Sequence, residues 1–402
     1  DNTLTLYDYM GIPTKVAGLV LNSLPFRAYN LIWNEWFRDE NLQNWAGPNT
    51  YNGYGPDVEA SFNLLRRGKR HDYFTSALPF LQKGSAVTLP LGTSAPVVPS
   101  AKLVFADALS GGNTRDVRFG AGNAVIYGGA ALAPTDAFYR SGLSVDLSTA
   151  TAATINQIRQ SFQIQKLLER DACGGTRYTE LVYSHFGVTS PDARLQRPEY
   201  LGGNSSPINF NAIAQTAYAA STPLGRLAAA ATGLSRSGFH QSFTEHGYVI
   251  GMVSVRADLS YQQGLRKMWS KSTRYDFYWP VFSALGEQAI LNREIFAQGT
   301  ATDALVFGYQ ERWAEYRYNP ALVTGLFRST YIAPLDAWHL AQEFSVVPTL
   351  NNTFIEENPP VDRVVAAGGG AAGQQLLLDA FFDIKAARPL PMYSVPGLVD
   401  HF

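Results

Sequence analysis

Leu24 to Leu42 reads LPFRAYNLIWNEWFRDENL, and its rings fall in step. Phe26, Tyr29, Trp33 and Trp36 recur at spacings of three, four and three, with Phe37 beside the last. That is one face of an α-helix. Ser23 is placed to cap it, and Pro25 sits in the first turn, where its missing N–H costs nothing. Arg27, Asn34, Glu35 and Arg38 lie off the stripe. Each large aromatic buries roughly 150–250 Å². So much ring area on one short helix must pack against something large. The chain's own core is one partner. A neighbouring subunit is the other, because Trp, Tyr and Arg anchor interfaces. Phe26, Tyr29, Trp33, Trp36 and Phe37 are therefore candidate interface residues.

Working outward, the composition fits a protein whose surface is not all exposed to water. The 402 residues allow roughly two to three domains. Hydrophobic residues make up 46% and charged residues 16%, against about 25% charged in typical domains. Extensive subunit contact explains the shortfall, as does a large β-rich core. The 35 Gly and 22 Pro favour the many turns of sandwiches and barrels. A net charge of −1 gives no global basic field, so any nucleic-acid contact must be local. One cysteine, Cys173, excludes an internal disulfide framework. DNTLTLYDYM at the start has neither the basic nor the apolar region of a signal peptide. No apolar run reaches the roughly 18 residues of a membrane span.

Along the chain, residues 43–61 read as a polar surface loop. Between Val87 and about Gly142, short β-compatible runs (LVFAD, VRFGAG, AVIYGG) alternate with glycine pairs. Thr154 to Arg170 is the clearest helix: Thr154 and Gln157 have capping-box spacing, and Gly174 can end it. LGRLAAAATG, from Leu224, reads as a short Ala-rich helix inside the loop region 187–240. Apolar runs at 247–255 (GYVIGMVSV), 274–282 (RYDFYWPVF), 325–331, 354–365 and 376–386 (LLLDAFFDIKA) predict strands. Short helices fit 284–298 and 311–316, and GGGAAG at 368–373 a loop tip. The expected fold is mainly β with few helices and long connections.

Few constellations carry chemistry. Arg66, Arg67, Lys69, Arg70 and His71, beside Tyr73 and Phe74, form the one dense basic cluster. Cations interleaved with rings make a single-strand-binding surface, where phosphates meet charge and bases stack. The competing reading is a solvated or ion-paired face. The six histidines, His71, His185, His240, His246, His339 and His401, show no metal-binding spacing, so no metal or other cofactor is expected. No G-x-S-x-G elbow or phosphate loop is present. Asp171 and Glu169 beside Cys173 oppose a reactive thiolate. Glu356-Glu357 and the charges of Arg312–Arg317 fit contacts across a symmetric interface better than acid–base catalysis. No enzyme is expected.

Several long stretches resemble one family. Besides the aromatic helix they are TELVYSHFGVTSPDARLQRPEYLGG from Thr179, RADLSYQQGLRKMWS from Arg256, FGYQERWAEYRYNPALVTGLFRS from Phe307, LDAWHL from Leu335, FIEENPPVDRV from Phe354 and ARPLPMYSVPGLVDHF at the end. In this order they resemble the major capsid protein of microviruses, the gokushovirus branch in particular. The resemblance implies a viral single jelly roll, an eight-stranded antiparallel β-barrel with large loop insertions. Relative to the family, early barrel strands are expected to be missing from this chain. It implies that residues 1–86 begin the jelly roll, 87–165 form a variable surface protrusion, and 166–402 complete the body with intersubunit loops and a Pro-rich tail.

The function so implied is self-assembly into a T=1 icosahedral shell around circular single-stranded DNA. Arg66, Arg67, Lys69 and Arg70 would then be candidate DNA contacts. A small basic DNA-binding virion protein, scaffolding proteins and a host receptor, met through the insertion, are further implied partners. The virion is the implied location, with assembly in the bacterial cytoplasm. The alternative from another class is a β-sandwich carbohydrate-binding or carbohydrate-active protein. It requires a concave aromatic face with paired carboxylates.

Overall fold

In a computed structural model, side chains are described for 3–47, 55–87, 155–189 and 197–388, apart from 212, 215, 219, 221–223, 225–230 and 366–374. The strand backbones between 97 and 145, and those of 212 and 227–230, are also described. The expected loop tip at 368–373 and most of the Pro-rich tail lie outside these residues. The chain divides into two compact units, one made of Asp1–Ala77 with His246–Phe402, the other of Leu78–Glu245.

In the first unit, a short helix α1 (Leu6–Tyr9) precedes α2 (Leu24–Ile32). The helix expected from the ring stripe is thus present. It continues as a π-helical turn, Trp33–Phe37, closed by the Arg38 N–H donating to the Trp33 carbonyl at 2.8 Å. Closure over five residues widens the turn and shifts the phase of the stripe. Phe26, Tyr29 and Trp33 consequently face inward, while Trp36 is left 42% exposed. Phe26 and Tyr29 pack with Leu6 and Phe62 in a small core, against which Ile250 and Met252 also lie. The phenol of Tyr29 accepts a hydrogen bond from the Leu65 amide, and Trp33 donates its indole N–H to the Arg66 carbonyl.

The larger core of this unit is aromatic. Phe74 meets Tyr261 edge-on at 4.8 Å, and Phe307 meets Phe354 at 5.3 Å. Ile290, Ile295 and Ile355 fill the spaces between. Edge-to-face rings at such separations add about 0.5–1.5 kcal/mol each beyond the area they bury. The antiparallel β9–β10 pair (Glu287–Leu291 and Val306–Glu311) contributes Ile290 and Phe307 to this core, and a parallel two-residue pair joins β8 (Ser260–Tyr261) to β11 (Ala321–Leu322). Short helices at Asn292–Ile295, Ala314–Arg317 and Asn352–Ile355 fill the connections.

The second unit holds a five-stranded antiparallel sheet in the order β4-β3-β2-β1-β5. Its strands are β1 (Val97–Asp107), β2 (Thr114–Phe119), β3 (Val125–Tyr127), β4 (Ala130–Ala131) and β5 (Phe138–Val145). The glycine-punctuated runs of this region are therefore strands. Helix α3 (Ile155–Gly174) follows and packs against α4 (Tyr178–Phe186). A Cβ on Gly174 would meet Ser184, so the close approach of the two helices requires glycine there. Asp171 and His185 pair across the helices at 2.7 Å.

Several expectations fail. Residues 227–232 of the Ala-rich stretch form β7 (Leu227–Thr232), paired with β6 (Asn209–Ala214), and not a helix. Here ladder pairing overrides alanine's intrinsic preference. Residues 284–298 begin with a strand, β9, before their helical turn. The runs at 247–255, 274–282, 325–331, 354–365 and 376–386 form no strand ladders among the described residues; 274–282 and 325–331 contain 3₁₀ turns instead. Among the described residues the sheets are small, and no eight-stranded barrel closes.

Candidate functional site

The basic cluster lies where three segments of the first unit meet. Gly68 bridges Glu356 in antiparallel fashion. The Lys69 amide donates to the Ile355 carbonyl at 2.8 Å, and the Glu357 amide to the Arg67 carbonyl at 2.8 Å. The Gly68 amide donates to the Phe37 carbonyl at the end of the π turn. Turn chemistry shapes the approach: the Asp72 carboxylate accepts from the amides of Phe74 and Thr75.

The four cations of this cluster behave differently. Lys69 is buried, 7% exposed. Its ammonium donates to the Phe354 carbonyl at 2.6 Å and to Gln342 at 3.2 Å, and lies 4.7 Å above the Phe354 ring. Burial pulls its pKa below the usual lysine value, while Glu357 and Asp72 pull the other way. Arg67 stacks on Phe37 at 5.1 Å and donates to the Ser254 hydroxyl. Burial likewise draws its pKa down, and the nearby charge of Arg256 adds to that. Arg66 is exposed and donates to Asn358 at 2.6 Å. Arg70 is exposed and paired with the open carboxylate of Asp258 at 2.9 Å.

Glu357, at the centre, is 5% exposed. Burial raises its carboxyl pKa; the Ala257 amide and the charges of Lys69, Arg67 and Arg256 oppose that rise. The arrangement is a buried carboxylate among cations, and backbone hydrogen bonds together with the Lys69 ammonium fasten residues 66–70 to 354–358. Glu357, expected at a symmetric interface, belongs to the chain's own interior. Lys69 is a structural cation and is not open to a phosphate. Sequence reasoning missed both, and the signal was present: a Glu-Glu pair directly after an apolar run, FIEEN, places one acid inside when the run is half-buried.

The aromatic candidates divide as well. Phe26, Tyr29 and Trp33 are core residues of this chain, Phe37 is covered by Arg67, and Trp36 is the one left exposed. Cys173 is exposed at the end of α3. Among the described residues, no group of His, Cys, Asp or Glu is placed to hold a metal ion, and no helix is long and apolar enough to cross a membrane. Outside the cores, large hydrophobic side chains stand in water over long stretches: Tyr275, Phe277, Tyr278 and Trp279 are each half exposed, and Leu377 and Phe381 almost wholly so.

Comparison with known proteins accounts for this pattern of exposed apolar surface and charge kept inside. The family model described as "Capsid protein (F protein)" matches residues 2–398. Capsid protein VP1 of Bdellovibrio phage phiMH2K is 49% identical over 416 aligned positions, covering 99% of this chain and 77% of that protein. Capsid protein VP1 of Chlamydia phage 1 is 40% identical, covering 98% and 77%. Capsid protein VP1 of Spiroplasma virus 4 is 38% identical, covering 98% and 76%. The class so defined is that of phage capsid proteins, structural by name. The chain belongs to the capsid protein (F protein) family, in the gokushovirus branch of the microviruses. It is a component of the virion, and the carbohydrate-binding alternative falls.

Proposed function

We propose that copies of this chain close a T=1 icosahedral shell around a circular single-stranded DNA genome. The observation that carries the reading is the match to capsid proteins over almost the whole chain. The exposed aromatic surface supports it, since a shell subunit buries on its neighbours what a monomer buries in itself. The jelly-roll body belongs to the same proposal. Residues 247–255 support it: Ile250 and Met252 face the smaller core, Val249 and Val253 face out, and the backbone lacks ladder partners among the described residues. That is the alternation of a strand waiting to be paired. Negative-stain electron microscopy of the expressed protein tests the reading. Small isometric shells are the expected result; monodisperse monomers under all assembly conditions would overturn it.

Within the shell, we assign the genome contact to Arg66, Arg67 and Arg70 and leave Lys69 out. Arg66 and Arg70 are exposed, and Arg70's ion pair is to an acid that is itself in solvent. Removing one phosphate-binding side chain lowers the salt slope of DNA binding by about 1. Arg66→Ala/Arg70→Ala should therefore flatten that slope by about 2. Trp36 is the proposed subunit contact of the aromatic helix. Residues 87–165 are the proposed surface protrusion and the site of host-receptor contact. A small basic DNA-binding virion protein and scaffolding proteins are the remaining proposed partners, met during assembly in the host cytoplasm.

A further inference from the structure

We propose that residues 376–386 form an arm that docks into a groove on a second copy of this chain, an inference that rests on the capsid reading. The groove runs beside β9 and β10, with a volume of about 770 Å³, and is lined by Tyr278, Gly286, Arg312, Trp313 and Tyr316. Its aromatic wall is built before any partner arrives. Tyr278 meets Trp313 edge-on at 5.6 Å, and Trp313 donates its indole N–H to the Phe282 carbonyl. The neighbouring ledge is fixed by the Thr273–Asp276 capping box and by Trp279 donating to the Arg274 carbonyl. Val281 at its end is 86% exposed. Rigid, exposed aromatics are what interface hot spots are made of.

The groove also holds a cation with no acid bound to it. The Arg312 guanidinium lies 4.8 Å over the Trp313 ring. Its side chain has no hydrogen-bond or ion-pair partner among the described residues, and its Nε is buried. Glu311, on the same wall, is taken by Arg317. An anion brought from outside would satisfy Arg312.

The arm has the matching chemistry. Leu377, Leu378, Phe381, Phe382 and Ile384 are 98%, 71%, 93%, 74% and 79% exposed. The two phenylalanines alone put roughly 250–400 Å² of ring surface in water. With the aliphatic chains beside them they supply a substantial share of the about 800 Å² that one partner contributes to a standard interface. Among the described residues, no backbone hydrogen bond holds 376–386. Side chains alternate in an extended strand, so Leu378, Ala380, Phe382 and Ile384 form a wholly apolar face. Asp379 and Asp383 stand on the other face, beside Phe381. The apolar face lies along the aromatic ledge, and one of the two carboxylates reaches Arg312.

Disulfide trapping tests this in the full-length protein, with Cys173→Ser removing the native thiol. A tagged Phe382→Cys chain is co-expressed with an untagged Tyr278→Cys chain, and the product is oxidised and run without reductant. The expected result is a tagged–untagged dimer, with yield falling about tenfold, the worth of one good interfacial charge pair, when Arg312→Ala is added to the Tyr278→Cys chain. A second arm of the experiment uses Phe381→Ser/Phe382→Ser, whose exposed positions leave the melting temperature unchanged; shells should fail to form. Shells forming normally from that variant, or particles that form without the mixed dimer, would overturn the proposal. So would a Phe382→Cys/Tyr278→Cys chain that closes its bridge internally. If the unsubstituted chain forms no particles at all, the capsid reading falls instead, and the docking with it.

Discussion

Lys69→Met removes a charge while keeping length and most of the volume, so its cost isolates what the ammonium does. The wild-type ammonium satisfies the Phe354 carbonyl at 2.6 Å and Gln342 at 3.2 Å, and sits on the Phe354 ring. It is also one of three cations opposing the burial of Glu357. Losing a charged hydrogen bond costs about 1.5–3 kcal/mol. Glu357 makes no direct ion pair with Lys69, so the added loss at the carboxylate stays below the about 3–5 kcal/mol of a broken buried pair. Arg67 and Arg256 remain near Glu357, which puts the expected loss near the lower end, at about 3 kcal/mol. Guanidinium unfolding of the unassembled subunit, followed by tryptophan fluorescence, would read it, together with a fall in melting temperature of about 4 °C.

The pH dependence of that loss carries a sign. Burial already holds the Glu357 carboxyl above its ordinary pKa, and losing Lys69 raises it further. A group raised in the folded state contributes no penalty below its unfolded pKa. The penalty grows as pH climbs through the folded value. The deficit of Lys69→Met should therefore be wider in neutral solution than in acid below the ordinary carboxyl pKa. A loss under about 1 kcal/mol, equal at both pH values, would refute the reasoning. It would return Lys69 to the ranks of exchangeable surface cations.

Three further outcomes follow from the same geometry. Gly264→Ala should destabilise the subunit by about 1–3 kcal/mol or more, since a Cβ there overlaps the Glu294 carbonyl; a calorimetric scan reads it. Tyr73→Phe removes the phenol that donates to buried Glu294 at 2.8 Å and should cost about 1–3 kcal/mol in chemical denaturation. Asp57→Asn breaks a two-pronged contact with Arg27, at 2.6 and 2.5 Å, which holds the Asp57 carboxyl below its ordinary pKa. The stability from a depressed carboxylate is present above its unfolded pKa and lost as pH falls through the folded one. The variant should thus melt lower at neutral pH, with the gap closing as the solution is acidified below about pH 4.

What the sequence disclosed was local. The stripe Phe26–Tyr29–Trp33 named its helix because period and cap are properties of adjacent residues. α3 was legible for the same reason, and it ends at Gly174 with Gly175 at a φ of +84°. Trp36 was misplaced by one π turn, which no periodicity announces. In the basic cluster the residue types were legible but their environments were not. Lys69 and Arg70 are adjacent in sequence, yet one is buried on Phe354 and the other stands in solvent. Their difference is set by residues some 190–290 positions away, which spacing along the chain cannot reveal.

The misread strands carry a different lesson. RYDFYWPVF and LLLDAFFDIKA were expected as strands because an apolar run signals burial, and burial inside a β-rich subunit means a ladder. Hydrophobicity reports only that a surface leaves water, and not which chain covers it. In a monomeric enzyme the two statements coincide, since the core is the one refuge available. A capsid subunit separates them. Its apolar segments divide between an interior, here the Phe74–Tyr261–Phe307–Phe354 rings, and surfaces that stay exposed in one isolated copy, here Tyr275–Val281 and Leu376–Ile384. The two kinds differ in backbone as well as burial. The β9–β10 strands beneath the rings are paired with each other, whereas 376–386 has no backbone partner among the described residues. For a family that builds shells, an apolar run whose hydrogen bonds go unmade within the chain is therefore the place to look for the neighbour.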